Sequence, residues 1–120
     1  METRYANGNT KGLLLYPVGL HTIFFADFPT AEAEHWGSTS RPHALEAVMT
    51  PSAATDTKAW KATYLLTEAD KSMPVAFQEN LIDRARKAGA QIEVKRIKSG
   101  HFPHINHVEE VGRWIQSLLS

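Results

Sequence analysis

Two polar residues in the second half of the chain have the types and placement for acid–base chemistry. Asp70 follows the apolar run Ala62-Thr63-Tyr64-Leu65-Leu66-Thr67, and His101 follows the alternating run from Gln91 to Ile97. A carboxylate beside an imidazole has a definite use. The acid accepts a hydrogen bond from one ring nitrogen, fixes the tautomer and stabilises the imidazolium when it forms, leaving the other nitrogen free as a general base. Gly100, just before His101, is expected to give the backbone freedom to turn the ring. Ser72 and Ser99 are the only serines near these two loops, and turn or capping hydroxyls fit their positions better than nucleophiles.

The elements that must position the pair are legible from periodicity. The run 62–67 is nearly continuous in apolar and β-branched residues, as in a strand buried on both faces. Pro74 opens a helix reaching Ala88, with Phe77, Leu81, Ile82 and Ala85 on one face and Gly89 at the C-terminal cap. Gln91 to Ile97 alternates as a strand. After a loop, Asn106 is expected to cap a last helix, with Glu109 as its capping-box partner and Val108, Val111, Ile115 and Leu118 as its apolar stripe. Two strands joined by a helix pair in parallel, so both loops leave the same edge of the sheet, where ligands bind in open α/β folds.

The first half is less regular. Met1 to Thr10 is polar and reads as loose, Leu13 to Tyr16 as a short strand and Thr22 to Phe25 as a second. Thr30 is expected to cap a helix that Gly37 ends. Ser40 is expected to cap another from Pro42 to Met49, and Thr50 to Lys58 reads as a loop. The chain thus divides into an irregular part, 1–60, and a patterned part, 61–120, within one structural unit.

The 120 residues carry 13 basic and 13 acidic side chains, so no basic face is expected for nucleic acid. With no cysteine there is no disulfide, no Cys nucleophile and no Cys-containing zinc site. No apolar run reaches the ~18 residues of a membrane span. The apolar-rich stretch Leu13–Phe25 is broken by Pro17, Gly19 and His21 and reads poorly as a signal peptide. The expectation is a soluble cytoplasmic protein. His101, His104 and His107 form an H-x-x-H-x-x-H run, but that spacing converges poorly on a metal and Pro103 interrupts it, so no metal is expected. Phe24, Phe25 and Phe28, with Trp36, Trp60 and Trp114, could line an apolar substrate pocket or simply fill a core, and core filling fits Trp114 on the last helix better.

Tyr64-Leu65-Leu66-Thr67-Glu68-Ala69-Asp70, followed by Met73-Pro74 and Gln78, resembles the penultimate strand and acid loop of α/β-hydrolases, closest to the esterase and hydroxynitrile-lyase-like branch. Ser99-Gly100-His101-Phe102-Pro103-His104 resembles that branch's G-H-S-P histidine loop, with Phe102 where Ser is usual. Phe24-Phe25-Ala26-Asp27-Phe28-Pro29 resembles the F-Y-x-D segment leading into the cap, and Ala59-Trp60 the segment before the acid strand. The likeness runs from about Ile23 to Leu118. It implies a partial α/β-hydrolase fold, a short parallel sheet with flanking helices and a remnant of the cap. It also implies Asp70 as triad acid, His101 as triad base and no cofactor.

The seven glycines, at 8, 12, 19, 37, 89, 100 and 112, leave no G-x-S-x-G nucleophile motif, and no oxyanion loop of the H-G-G-G kind occurs. The sequence therefore reads as the cap and C-terminal portion of such a hydrolase. Its substrate would be a small apolar ester or ketide-like molecule. The alternatives are a non-catalytic remnant, or a small lyase or isomerase that uses the dyad for proton transfer. Without an upstream strand the Ala62–Thr67 edge is open, so either Leu13–Phe25 covers it or the chain forms a homodimer through it.

Overall fold

A computed structural model describes residues 2–4, 13–51 and 60–120. Most of the loop read over Thr50–Lys58, most of the polar start, and Ser52 and Ala59 lie outside the described residues. The structure is mixed α/β with two short sheets, one antiparallel and one a parallel pair.

The antiparallel sheet has the order β1-β2-β3, from β1 (Glu2–Arg4), β2 (Leu14–Tyr16) and β3 (His43–Ala44). Glu2 to Arg4, expected to be loose, is a strand because it pairs with β2, Thr3 opposite Leu15. A polar triplet has no local signal for such a partner. Thr22 to Phe25, expected as a strand, is helix and turn instead. Gly19, with φ 67°, leads into α1 (Leu20–Ile23), and the Phe24 and Phe25 N–H groups both return to the Leu20 carbonyl, at 2.8 and 3.2 Å. That fold-back lets Phe25 and Phe28 bury with Ala33, a gain that outweighs the strand propensity of Thr and Phe.

Gly37 does not end the next helix. The helix α2 (Thr30–Thr39) runs on to Thr39, its last turn closed by the Ser38 and Thr39 hydroxyls donating to the His35 and Trp36 carbonyls. Ser40 is the extended residue after α2 and not an N-cap. Pro42 leads into β3, which pairs with Leu14 and Leu15, so α3 (Leu45–Met49) is shorter than expected.

The second half follows its pattern more closely. β4 (Lys61–Thr67), α4 (Val75–Lys87), β5 (Gln91–Ile97), the helical turn α5 (Pro103–Asn106) and α6 (Val108–Leu118) occur in that order. β4 and β5 are parallel and in register from Lys61 opposite Gln91 to Thr67 opposite Ile97. Gly89 ends α4 at φ 96°, with Gly89 N–H on the Arg86 carbonyl and Ala90 N–H on Ala85. This is a Schellman cap, and its left-handed position suits Gly. Burial of β4 on both faces does not hold. Only Leu66 and Thr67 are buried, because among the described residues β4 has one strand neighbour, β5. Leu13–Phe25 does not cover the outer edge, since β2 is already paired on both sides.

Two helix faces also differ from expectation. On α4 the buried residues are Gln78 and Ile82, while Phe77 is half exposed. On α6 only Val111 of the apolar stripe is buried; Val108, Ile115 and Leu118 face solvent. Asn106 does not cap α6, and its side chain turns to Asp27 instead. Among the described residues no helix is long and apolar enough to cross a membrane. The core cluster of Phe25, Phe28 and Ala33 packs against Leu20, Phe24, Phe102 and Ile105, so it joins the first helices to the loop that carries His101.

Candidate active site

The parallel ladder does not stop where the strands do. Glu68 N–H donates to the Ile97 carbonyl at 2.9 Å and Ala69 N–H to the Ser99 carbonyl at 3.0 Å. Backbone pairing thus carries both chains past the sheet edge together and delivers Asp70 and His101 side by side. The His101 Nδ1 lies 2.8 Å from Asp70 Oδ2. The Asp70 side chain is 3% exposed and that of His101 21% exposed, so the acid is enclosed while the imidazole reaches solvent.

Asp70 is saturated as an acceptor. Its Oδ1 takes the Ser72 N–H at 2.8 Å and the Met73 N–H at 2.9 Å, and its Oδ2 takes the Thr67 hydroxyl at 3.0 Å besides the imidazole. Four donors match the roughly four lone-pair positions of a carboxylate. Burial raises the Asp70 pKa, but the Met73 amide, the His101 ring and the Thr67 hydroxyl outweigh it and hold the carboxyl below its ordinary value. An ionised carboxylate only accepts, so the Nδ1 facing it is the donor, and in the neutral ring Nε2 carries the lone pair. No polar atom of the described residues hydrogen-bonds to that Nε2.

Gln78, 1% exposed, fixes the acid loop from below. Its Nε2 donates to the Thr67 and Met73 carbonyls at 2.9 and 2.6 Å, and its Oε1 accepts from Thr67 N–H at 3.1 Å and Tyr64 O–H at 3.3 Å. The loop is therefore held at both ends by one amide. The Tyr64 phenol is pushed up, first by burial and then by the Asp70 charge.

The histidine is walled by aromatic rings. Phe24 lies 4.7 Å from the His101 ring between centroids and Phe102 4.8 Å. Of the three expected pocket residues, Phe24 touches the imidazole, and Phe25 and Phe28, 5.3 Å apart and edge to face in the buried cluster, line a separate cleft of about 240 Å³ with Ala33 and Lys71. A shallow apolar cleft of about 320 Å³ lies beside Phe24, lined also by Val18, Leu20, Ile23, Lys71 and Ser72. Clefts of about 410 Å³ occur elsewhere, for example between α4 and β5, away from the dyad.

Neither nearby serine hydroxyl hydrogen-bonds to His101. Ser99, 1% exposed, donates to the Gly100 carbonyl, and Ser72 contributes its backbone N–H to Asp70. The three histidines of the H-x-x-H-x-x-H run do not converge. His104 lies against Phe102 and His107 near Asp27, and among the described residues no three or more His, Asp or Glu gather at metal-binding distance.

Sequence reasoning missed Asp27, Thr67 and Gln78 as parts of this site. Gln78 carried a signal, since it shares a helix face with Ile82 four residues on and a polar residue on a buried face needs partners. Asp27 was noted only as the acid of the F-Y-x-D-like segment, and nothing local pointed to its contacts, because its partners lie more than seventy residues away. No protein-family model, no curated protein and no solved structure matches this chain.

Proposed function

We propose that this chain carries the acid–base half of an α/β-hydrolase-type site and hydrolyses a small apolar ester or ketide-like substrate. The observation that supports this best is the 2.8 Å bond between His101 Nδ1 and a saturated, ionised Asp70, with the imidazole's other nitrogen, beside Phe24, making no hydrogen bond among the described residues. In this reading Asp70 moves no proton, because all its acceptor positions are occupied. It holds the ring and balances the charge when Nε2 takes a proton. His101 removes the proton from the attacking oxygen and returns it to the leaving group. Phe24 and the cleft beside it receive the apolar part of the substrate.

A second reading, proton transfer in a lyase or isomerase without a covalent intermediate, is favoured by the engagement of the Ser99 hydroxyl with Gly100. Turnover of a panel of short-chain p-nitrophenyl esters, with fluorophosphonate labelling, separates the two. Ester turnover lost in His101→Ala, with labelling lost in Ser72→Ala or Ser99→Ala, supports a self-contained hydrolase. Turnover lost in His101→Ala without labelling supports the dyad alone. A panel that turns over equally well in His101→Ala overturns both.

A further inference from the structure

The loop that presents His101 is held from the opposite side by an acid outside the dyad. Asp27 Oδ2 accepts the Gly100 N–H at 2.7 Å and the Asn106 Nδ2–H at 2.9 Å, and the His107 Nε2 lies 3.7 Å away. One carboxylate thus grips the histidine loop just before His101 and again at the end of α5. The approach is close. A Cβ on residue 100 would stand 2.3 Å from Asp27 Oδ1 and 2.7 Å from its Cγ, so no side chain fits there while Asp27 holds its place. Gly100 has no positive φ; it is needed for this contact and not, as the sequence suggested, for freedom to turn.

Asp27 also belongs to the segment that forms the aromatic wall. Phe24 stands against the imidazole and stacks on Phe102 at 5.9 Å, Phe25 meets Phe102 at a tilt with centroids 5.0 Å apart, and Phe28 belongs to the same cluster. Rings alone resist compression but leave sliding free, whereas hydrogen bonds to a charged acceptor are directional and stronger. We propose that Asp27 is a positioning residue: it locks the Gly100–Asn106 loop to the Phe24–Phe28 wall, so that the base and the substrate wall keep one register. This deepens the acid–base reading of the Asp70–His101 pair and rests on it.

The test reads the imidazole directly, so it does not depend on knowing the substrate. Ring ¹⁵N shifts report the His101 tautomer, with thermal melting run in parallel. In the parent chain His101 is expected as the Nδ1-protonated tautomer. If it is not, the dyad reading itself fails. In Asp27→Asn, which keeps the volume and loses the charge, the Nε2-protonated form is expected to grow by up to about tenfold, the effect of losing a net hydrogen bond on an equilibrium. Gly100→Ala, which drives a methyl into Asp27, is expected to do the same. Measured beside the single variants Gly100→Ala and Asp27→Ala, the double variant Gly100→Ala, Asp27→Ala is expected to show less than the sum of those two losses, because the clash has gone. Asp27→Asn or Gly100→Ala that melts lower but keeps the parent tautomer makes Asp27 merely structural and overturns the proposal, as does strict additivity in the double variant.

Discussion

His101 Nδ1 and Asp70 Oδ2 meet at 2.8 Å across 31 residues of chain because the backbone ladder of β4 and β5 continues into the two loops that carry them. The main-chain ladder brings the two loops together, and the Asp70 carboxylate also holds the Ser72 and Met73 amides of its own loop, so the least disruptive probe keeps its shape. Asp70→Asn is expected to keep the fold and to lower kcat by on the order of 10³–10⁴-fold, through loss of the tautomer and of charge balance. His101→Ala is expected to lose activity at least as far. Steady-state kinetics on a responsive ester, beside a far-ultraviolet spectrum of each variant, checks both.

The depressed Asp70 pKa ties stability to acid. Its ordinary value is 3.8, and the folded value lies lower. Above 3.8 the carboxyl is ionised in the folded and unfolded states alike, and its stabilisation is complete. As the pH falls through 3.8 the unfolded chain takes the proton first, and stability is lost until the folded carboxyl is protonated too. Urea unfolding between pH 6 and about pH 2 should show this loss, and Asp70→Asn should flatten it. An acid limb of equal slope in the variant would assign the loss to other carboxyls.

Gln78 is expected to be the polar residue whose loss is felt most. Gln78→Leu leaves the Thr67 N–H and the Thr67 and Met73 carbonyls without their partner in a buried place. Each unsatisfied buried group costs about 1–3 kcal/mol, so a loss of about 3 kcal/mol or more is expected from the urea midpoint. The acid loop should loosen with it, and amide exchange at Ser72 and Met73 should quicken.

The buried face of α4 and the inner end of β4 can be tested as a contrast. Leu66 is fully buried and Phe77 is 53% exposed. Leu66→Ala is expected to destabilise by about 2–5 kcal/mol, whereas Phe77→Ala should cost no more than about 0.5 kcal/mol. Chemical denaturation of the two variants side by side measures this. The opposite ranking would mean that the helix presents the face its apolar periodicity suggested.

Phe24 offers a test of the proposed apolar wall. Its ring contacts His101 but offers no hydrogen bond. Phe24→Ala is expected to raise KM by about tenfold for an apolar ester, the worth of roughly 1.4 kcal/mol of lost apolar contact, with a smaller change in kcat. A fall in kcat at unchanged KM would place Phe24 in the support of the imidazole instead.

Much of the second half was legible as sequence because its signals are local. Period-2 and period-3.6 patterns, Pro74 at the start of α4 and Gly89 at its end act within one or two turns, and they placed the strand–helix–strand unit and the edge bearing Asp70 and His101. The first half was not legible in that way. Glu2–Arg4 is a strand only because β2 lies beside it, and Thr22–Phe25 is helical only because its rings bury against Ala33 and Phe102. Tertiary structure alone decided three further things. It chose Gln78 over Phe77 as the buried residue of α4, turned Asn106 away from capping α6, and brought Asp27 against Gly100. Gln78 is chosen by the Thr67 and Met73 backbone groups it satisfies close by in sequence, whereas the other two depend on partners more than seventy residues away, and local periodicity carries no information about which distant amide a carboxylate will find.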